Sequence, residues 1–294
     1  MWAKRSLGER IFDLANTLLL SLLIVITLYP LWYVLVASFS EPAPLMQYRG
    51  VLLRPLGFTL EAYRLLSTNP MISIGYQNTL LYVTAGTALN LLLTSLGAYA
   101  LSRRHVLLKG PIMVLIVFTM FFSGGLVPTY LLVAHTLKLL DTRWALILPG
   151  AISSWNLIIM RTAFQQVPEE LEEAARMDGA NDFTILFRIV LPLSMPVVAV
   201  MLLFYSVAHW NAWFGAMIYL RTRELYPLQL ILREILILSS VESMTAGIAA
   251  GDVMPIGETI KYATIVVATV PILCVYPFLQ RYFVKGVMIG AIKG

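Results

Sequence analysis

The stretch 167–192, VPEELEEAARMDGANDFTILFRIVLP, is a charged island between two long apolar runs. It carries six acidic and two basic side chains, whereas the apolar runs on either side carry almost none. Charged side chains are costly inside a bilayer and are readily solvated outside it. The stretch therefore predicts a water-exposed loop between two membrane spans.

The island itself predicts two short helices joined by a tight corner. Pro168 suits the first position of a helix, and the glutamates after it lie where the helix dipole favours negative charge. Gly179 can adopt the positive φ of a helix C-cap, and Asn181 or Asp182 can cap the next helix. We expect one apolar face on each helix, formed by Leu171, Ala174 and Ala175 on the first and by Phe183, Leu186, Phe187 and Val190 on the second.

The composition of the chain indicates an integral membrane protein. Hydrophobic residues make up 59% of it, charged residues 13%, and the mean hydropathy is +0.80, values that exclude an ordinary soluble domain of 294 residues. A bilayer core needs about 20 apolar residues per helix. Six runs meet this need: 14–40, 65–102, 110–137, 144–160, 189–220 and 262–280. The sequence thus predicts an all-α membrane protein with six transmembrane helices.

The distribution of Lys and Arg predicts that both termini are cytosolic. In that orientation the inside segments 1–13, 102–110, 161–191 and 280–294 hold 12 Lys and Arg in 68 residues, and the outside segments hold 9 in 86. The net charge of +5 then reflects topology and does not indicate a nucleic-acid partner. The first run is about 24 residues long without a small-x-small cleavage site, so we expect an anchor and not a cleaved signal peptide. The single cysteine, Cys274, excludes an internal disulfide.

The island resembles a known loop. Glu173-Ala174-Ala175, followed by Gly179 and by Ile189-Val190-Leu191-Pro192, is similar to the EAA loop of bacterial ABC importer permeases. The alternative is an ordinary cytosolic helical hairpin. The resemblance implies a type I ABC importer permease fold whose cytosolic coupling helices contact an ATPase. It implies coupling roles for Glu172, Glu173, Ala174, Ala175, Asp178, Gly179 and Ala180, with Glu173 pairing with an arginine of the ATPase and Gly179 shaping the corner.

The resemblance extends over the whole chain and becomes more specific. Gly97-Ala98-Tyr99-Ala100, the long external loop 221–261 and the C-terminal residues 285–294 resemble the maltose-type, MalG-like carbohydrate permeases, in the branch that includes LplC and YtcP. That branch is linked with the import of complex-carbohydrate oligosaccharides. We expect an N-terminal helix with an external linker over 1–75, a transmembrane core over 76–281 with coupling loop 167–192, and a cytosolic tail over 282–294.

Polar and aromatic residues inside two of the runs are candidates for a substrate path. They are Asn156 in the fourth run and His209, Trp210, Asn211 and Trp213 in the fifth. Aromatic faces can stack on sugar rings, and amide or imidazole groups can bond to hydroxyls. The alternative is an aromatic belt at the membrane interface combined with a hydrogen bond between helices. A metal role for His209 is disfavoured, because no second His or carboxylate lies at ligand spacing.

The chain has no means of its own to use ATP. It has no Walker A pattern and no Gly-Lys dipeptide, and no acidic residue lies within a run apart from Asp13 at a border. We therefore expect no enzyme activity and no cofactor or metal here, with Mg-ATP bound by partners. The expected partners are a second homologous permease, two ATPase subunits, an extracytoplasmic solute-binding protein and a carbohydrate, within the bacterial cell membrane. The alternatives are a permease for a non-sugar solute, a stand-alone secondary transporter or channel, and a scaffold.

Overall fold

The computed structural model describes residues 7–245, 259–274 and 277. Within these residues the chain is helical, with one isolated β-bridge between Ser40 and Phe58. The helices are α1 (Leu7–Ser38), α2 (Pro42–Gln47), α3 (Glu61–Thr68), α4 (Pro70–Ser102), α5 (Lys109–Phe121), α6 (Leu126–Leu131), α7 (Trp144–Ile147), α8 (Ser154–Phe164), α9 (Glu169–Met177), α10 (Asp182–Ile185), α11 (Leu191–Leu193), α12 (Met195–Trp210), α13 (Phe214–Tyr219), α14 (Leu228–Thr245) and α15 (Thr259–Cys274). The π-helical turns Leu132–Thr136 and Leu186–Val190 and the 3-10 turn Arg223–Leu225 lie between them. The predicted tail 282–294 and part of the external loop lie outside the described residues.

Two single helices, α1 and α4, are long and apolar enough to cross a membrane. Two helix pairs meet the same test only when each is counted as one bent span: α5 with Leu126–Thr136, bent by 113°, and Asp182–Leu193 with α12, bent by 89°. The described residues thus contain two to four candidate spans. The fourth predicted run is divided between α7 and α8, and α15 is shorter than a full span. The count of six spans stays a prediction.

Proline sets the start of α4 and explains why the boundary predicted for the fifth span is wrong. Asn69 is extended (ψ 111°) and a residue before proline disfavours helix, so α4 starts at Pro70, within the apolar run 65–102. The run 189–220 is not one span that begins at Pro192. The helix that contains Pro192 ends at Ser194, and α12 starts at Met195 with Pro196 in its first turn.

Among the described residues, 7–69, 233–245 and 259–270 form one compact unit. Its long helix α1 is exposed along most of its apolar length, as expected of a helix that lies against lipid. Only the last residues of α1 are buried, where Val36 and Ala37 pack with Leu45 and Leu52. The hydroxyls of Ser38 and Tyr63 are 2.7 Å apart and attach the external linker to the end of this helix.

Residues 70–232, with 271–274 and 277, form the second unit of the described chain, and α4 is its central helix. α4 packs along both α8 and α12. The main core lies toward the end of α4 that contains Ser102, where Ala98, Met160, Phe164 and Ile185 are fully buried. This core supports the island 167–192 from one side.

At the opposite end of α4, polar side chains hold the segment that follows α13. The Asn78 amide donates to the carbonyls of Glu224 and Tyr226, at 2.6 and 3.1 Å, and the Thr79 hydroxyl accepts from the backbone N–H of Leu228. The start of α14 is therefore packed against α4, and Leu228 is fully buried. The predicted external loop 221–261 accordingly begins as ordered structure within this unit.

Asp141 stabilises the same segment through its carboxylate. The carboxylate accepts from the hydroxyl and the backbone N–H of Thr222 and from the backbone N–H of Arg221. These hydrogen bonds, that of the Thr222 hydroxyl first among them, hold the pKa of Asp141 below its ordinary value. The carboxylate therefore stays charged wherever the water outside the membrane is near neutral.

Candidate functional site

The corner predicted around Gly179 is confirmed. Gly179 has a φ of +84°, and its N–H donates to the carbonyl of Arg176 at 3.0 Å. The N–H of Ala180 donates to the carbonyl of Ala175 at 2.9 Å. These two bonds form a Schellman motif, in which a left-handed residue satisfies the last carbonyls of a helix. The open space around a Cβ at this position shows that the backbone conformation, and not crowding, requires glycine.

The helix ends on either side of the corner also follow the predicted chemistry. α9 begins at Glu169, directly after Pro168, and carries three glutamates in its first turn. α10 is capped by Asn181, whose side-chain oxygen accepts from the N–H of Thr184 at 2.8 Å. Of the two capping candidates, Asn181 is therefore the one used. Asp182 lies in the first turn and pairs instead with Arg176.

An ion pair that the sequence analysis did not predict attaches the corner to α4. Arg103, directly after the end of α4, pairs with Glu172, and the side chains of the two are 14% and 7% exposed. Arg103 also donates to the carbonyl of Phe164 at 2.9 Å and lies over the ring of Tyr99. Burial lowers the pKa of Arg103 from its ordinary value, but a guanidinium stays charged in proteins. α9 is thus fixed to the end of a long helix by a mostly buried charge pair.

This pair explains why the apolar face predicted for α9 lies mostly outside the core. Leu171 is 44% exposed and Ala174 is exposed, whereas Glu172 is buried and Ala175 is half-buried against the core. A hydrophobic stripe orients a helix only when nothing stronger competes with it. Here the charge of Arg103 turns Glu172 inward, and the leucine faces out.

The four apolar residues predicted to share one face of the second helix are likewise divided between buried and exposed positions. Leu186 and Val190 are buried, as expected, but Phe183 is 65% exposed and Phe187 is 45% exposed. The chain forms a π-helical turn over Leu186–Val190, which has more residues per turn than an α-helix. The α-helical spacing assumed for the residues after Ile185 is therefore wrong.

The predicted coupling residues divide into two groups by their exposure. Glu173, Ala174, Asp178 and Gly179 are exposed, Ala175 and Ala180 are half-buried against the core, and Glu172 is buried. The exposed group forms a surface with Met177, which is 88% exposed. Beside it lies a cleft of about 620 Å³ between the end of α4 and helices α9 and α10. The corner therefore has an anchored inner side and an open outer side.

A second polar region lies in the middle of the same unit, around the break in the fourth predicted run. α7 ends at Ile147 and α8 begins at Ser154, so residues 148–153 are not helical. The Asn90 amide donates to the carbonyls of Gly150 and Ala151, at 2.7 and 2.9 Å. Because both donors of this amide are used, its oxygen accepts from Nε2 of His209 at 2.7 Å. His209 therefore carries its proton on Nε2.

The predicted path residues do not lie on one surface. His209 is half-buried and bonded to Asn90, and its ring occupies the space beside Gly86. Trp210 is 8% exposed, and Trp213 packs against the cluster of Ala216, Leu220 and Leu230. Asn211 is exposed at the point where α12 ends. Asn156 is 6% exposed, and its side chain makes no hydrogen bond within the described residues.

The partners of two residues that organise these regions were not predicted, for one reason. Arg103 pairs across 69 positions, and Asn90 reaches a carbonyl 60 positions away. Asn90 is recognisable as a polar group in the middle of an apolar run, but its partner is backbone and leaves no trace in the sequence. Arg103 could have been found as the first charge after a span, next to an island rich in glutamate.

Comparisons with known proteins agree on one kind of relative. Residues 6–289 match the family model described as "Binding-protein-dependent transport system inner membrane component". The chain is 44% identical to Protein LplC of Bacillus subtilis (strain 168), over 97% of this chain and 96% of that protein. It is 43% identical to the polygalacturonan/rhamnogalacturonan transport system permease protein YtcP of the same organism, over 97% and 99%.

A solved structure resembles the present one along its whole length. It is a chain of a bacterial ABC transporter involved in the import of the acidic polysaccharide alginate. The TM-score is 0.84 and the sequence identity 33%, and the match covers 96% of this chain and 99% of that chain. Both the sequence and the fold therefore have full-length counterparts.

Proposed function

This chain belongs to the family of binding-protein-dependent transport system inner membrane components, the permeases of ABC importers, and we propose that its cargo is an oligosaccharide. The observation that carries this proposal is the 43% identity, over nearly the full length of both chains, with a permease named for polygalacturonan and rhamnogalacturonan transport. The fold neighbour that takes part in alginate import supports the same class of cargo. Polygalacturonan, rhamnogalacturonan and alginate are acidic polysaccharides, so an acidic oligosaccharide is the first candidate for the cargo.

The exposed side of the corner is the surface we assign to the ATPase. It presents Glu173, Met177 and Asp178 to water, and no described residue covers it. Its inner side is fixed to α4 through Arg103 and Glu172. A movement imposed on α9 by an ATPase would therefore pass directly to a helix long enough to cross the membrane. The differential contacts of this surface with the two ATPase states would set the coupling free energy.

The full importer then contains a second, homologous permease, two ATPase subunits that bind Mg-ATP, and an extracytoplasmic binding protein. In this assembly the chain has six spans in the cell membrane and both termini in the cytosol, which is the orientation favoured by its Lys and Arg. ATP hydrolysis takes place on the partner subunits, and this chain provides half of the path through the membrane. The role of the exposed carboxylate Glu173 is to pair with an arginine of an ATPase subunit.

Charge reversal at Glu173 tests the assigned surface. We expect Glu173→Lys to lower uptake by about 30-fold or more, because it places a like charge against a basic groove in the ATPase. Uptake of an oligogalacturonate would be measured in cells that express the whole importer, together with the amount of each permease in the membrane. Glu61→Lys is the matched control, since it makes the same charge change at an exposed glutamate of α3, outside the stretch 167–192.

Both variants should reach the membrane in normal amounts, because Glu173 and Glu61 are exposed and their replacement removes no core packing. Normal uptake by Glu173→Lys, or an equal loss of uptake in Glu61→Lys, would contradict the assignment of the corner as the surface that contacts the ATPase.

A further inference from the structure

If the membrane boundary lies at the end of α4, where Ser102 is followed by Arg103 and Arg104, the break between α7 and α8 lies near the middle of the membrane. Asn90, which bonds to Gly150 and Ala151 of the break, precedes the end of α4 at Ser102 by twelve residues. Twelve residues of helix span roughly 18 Å. The apolar core of a bilayer is about 30 Å thick. The break therefore exposes non-helical backbone at a depth where lipid cannot satisfy its polar groups.

The rear of the break is closed by side chains of the chain itself. Asn90 bonds to two of its carbonyls, and the Tyr205 hydroxyl accepts from the N–H of Ser153 at 3.2 Å. The same hydroxyl lies 2.8 Å from that of Thr94. Asn90, Thr94 and Tyr205 are all buried. These side chains satisfy the inner polar groups of the break and fix its conformation.

The front of the break is open and carries unused donors. No described residue accepts a hydrogen bond from the N–H of Gly150 or of Ile152. A Cβ at Gly150 would meet no described residue within 4 Å, and Trp155 is 61% exposed one turn further on. Asn156, although 6% exposed, makes no side-chain hydrogen bond in the described part of the chain. Unpaired polar groups in the apolar part of a membrane need an aqueous path, a ligand or a partner protein.

We propose that residues 150–156 are a sugar-contact site on the translocation path. Trp155 provides an apolar ring face for the C–H side of a pyranose. The exposed N–H groups of Gly150 and Ile152 bond to the sugar oxygens. A saccharide fits both features, because it combines an apolar ring face with many acceptor oxygens, whereas a lipid chain has no acceptors. The site rests on the proposed function and specifies which residues of this chain meet the cargo.

The tryptophan is tested in the complete importer with an oligogalacturonate and a neutral arabino-oligosaccharide as cargoes. We expect Trp155→Ala to lower uptake by about tenfold, and Trp155→Phe to keep uptake within about threefold of the original chain, because phenylalanine retains a ring face. Trp144→Ala is the matched control, since Trp144 is 54% exposed in α7 but lies on the other side of the break. Its uptake should stay unchanged.

Access of water to the site is tested by chemical labelling. Gly150→Cys has room for the new side chain, and Cys274→Ser removes the single native cysteine. In the assembled importer, a membrane-impermeant maleimide should label position 150, and either cargo, added with the binding protein and ATP, should slow the labelling. This variant keeps the backbone N–H of residue 150, so the labelling tests the path without removing the proposed donor.

The outcomes separate the possible errors. If Trp155→Ala releases the second permease from the purified complex, or if residue 150 resists the maleimide, the surface is a protein or lipid contact and the inference is wrong. Labelling that the cargo does not slow, with normal uptake by Trp155→Ala, also overturns it. If the unaltered importer takes up neither saccharide while residue 150 is labelled, the proposed cargo class is wrong, and the position of the path stands.

Discussion

The corner within the charged island 167–192 and the break at residues 148–153 are attached to the same helix, α4, by opposite kinds of chemistry. The corner is held by charges, with Arg103 and Glu172 as the main pair. The break is held by neutral groups, the Asn90 amide and the Tyr205 hydroxyl. The desolvation cost of an ion pair is small at the water boundary and large in the middle of a bilayer. In the proposed topology, depth in the membrane therefore decides which chemistry each region uses.

The two regions share one design despite this difference. Each is fixed to α4 on its inner side and leaves polar groups open on its outer side: Glu173 and Asp178 at the corner, and the N–H groups of Gly150 and Ile152 at the break. In the proposed importer the open groups of the corner meet a protein, and those of the break meet the cargo. Because both are attached to α4, a displacement of the corner can reach the break through a single helix.

The largest effect on stability is expected at the charged attachment. Arg103→Ala or Glu172→Ala leaves an unpaired, mostly buried charge and should lower the free energy of unfolding by about 3–5 kcal/mol. Thermal unfolding of the purified permease in detergent would measure this. Arg104→Ala is the control, because Arg104 pairs with Glu169 at 3.0 Å but has a side chain that is 78% exposed, and should cost at most about 1 kcal/mol.

The double variant Arg103→Ala/Glu172→Ala distinguishes the pair from general damage to the region. With both charges removed, no unpaired charge is left, so it should be more stable than either single variant. If the losses of unfolding free energy are additive, each residue acts through contacts other than this pair. The corner would then not be attached to α4 by a charge pair.

A smaller effect is expected at the neutral attachment. Asn90→Leu removes the donors to Gly150 and Ala151 and the acceptor for His209, so buried polar groups lose partners at about 1–3 kcal/mol of unfolding free energy. Thr84→Val on the same helix is the control, because the Thr84 hydroxyl bonds only to carbonyls of its own helix and is exposed. The same unfolding assay applies to both.

Asn90→Leu should also change the labelling of Gly150→Cys, because the break loses the groups that fix its rear side. An unaltered melting temperature with unaltered labelling would show that the break holds its conformation without Asn90. The Asn90 amide would then not be what fixes the break to α4.

The sequence predicted features set by neighbouring residues and missed those set by distant ones. The start of α9 after Pro168, the cap at Asn181 and the positive φ of Gly179 depend on a few adjacent residues, and all three are confirmed. The exposure of the apolar face of α9 was not predicted, because it depends on Arg103, far away in the chain. Local preference is decisive for a cap, but a buried charge outweighs an apolar stripe.

The candidate path shows the same limit in another form. The composition of the fourth and fifth runs indicated where aromatic and amide groups occur, but exposure separates Trp155, which is open, from its neighbour Asn156 and from Trp210, which are buried. Hydropathy also hid the break itself, because residues 148–153 are mostly apolar. Which face of a helix is open depends on how α4, α8 and α12 pack, and periodicity alone does not give that packing.

The smallest effect is expected at Gly179, and Gly125 makes it informative. Both glycines have positive φ, +84° and +82°, and open space around a Cβ. They differ in ψ, because Gly179 ends α9 in a left-handed cap, whereas Gly125 has a ψ of 177°, in a region open essentially to glycine alone. Gly179→Ala should cost about 1 kcal/mol of unfolding free energy and Gly125→Ala about 1–3.

Asparagine tolerates the left-handed region, so Gly179→Asn should recover most of the stability lost in Gly179→Ala, whereas Gly125→Asn should recover little. Thermal unfolding of the four variants measures this directly. Uptake then separates geometry from surface. If Gly179→Asn folds normally and still transports poorly, the new side chain obstructs the ATPase surface, because no described residue comes within 4 Å of a Cβ at this position. If it transports normally, the ATPase requires only the corner's backbone shape, and the charge of Glu173 carries the contact.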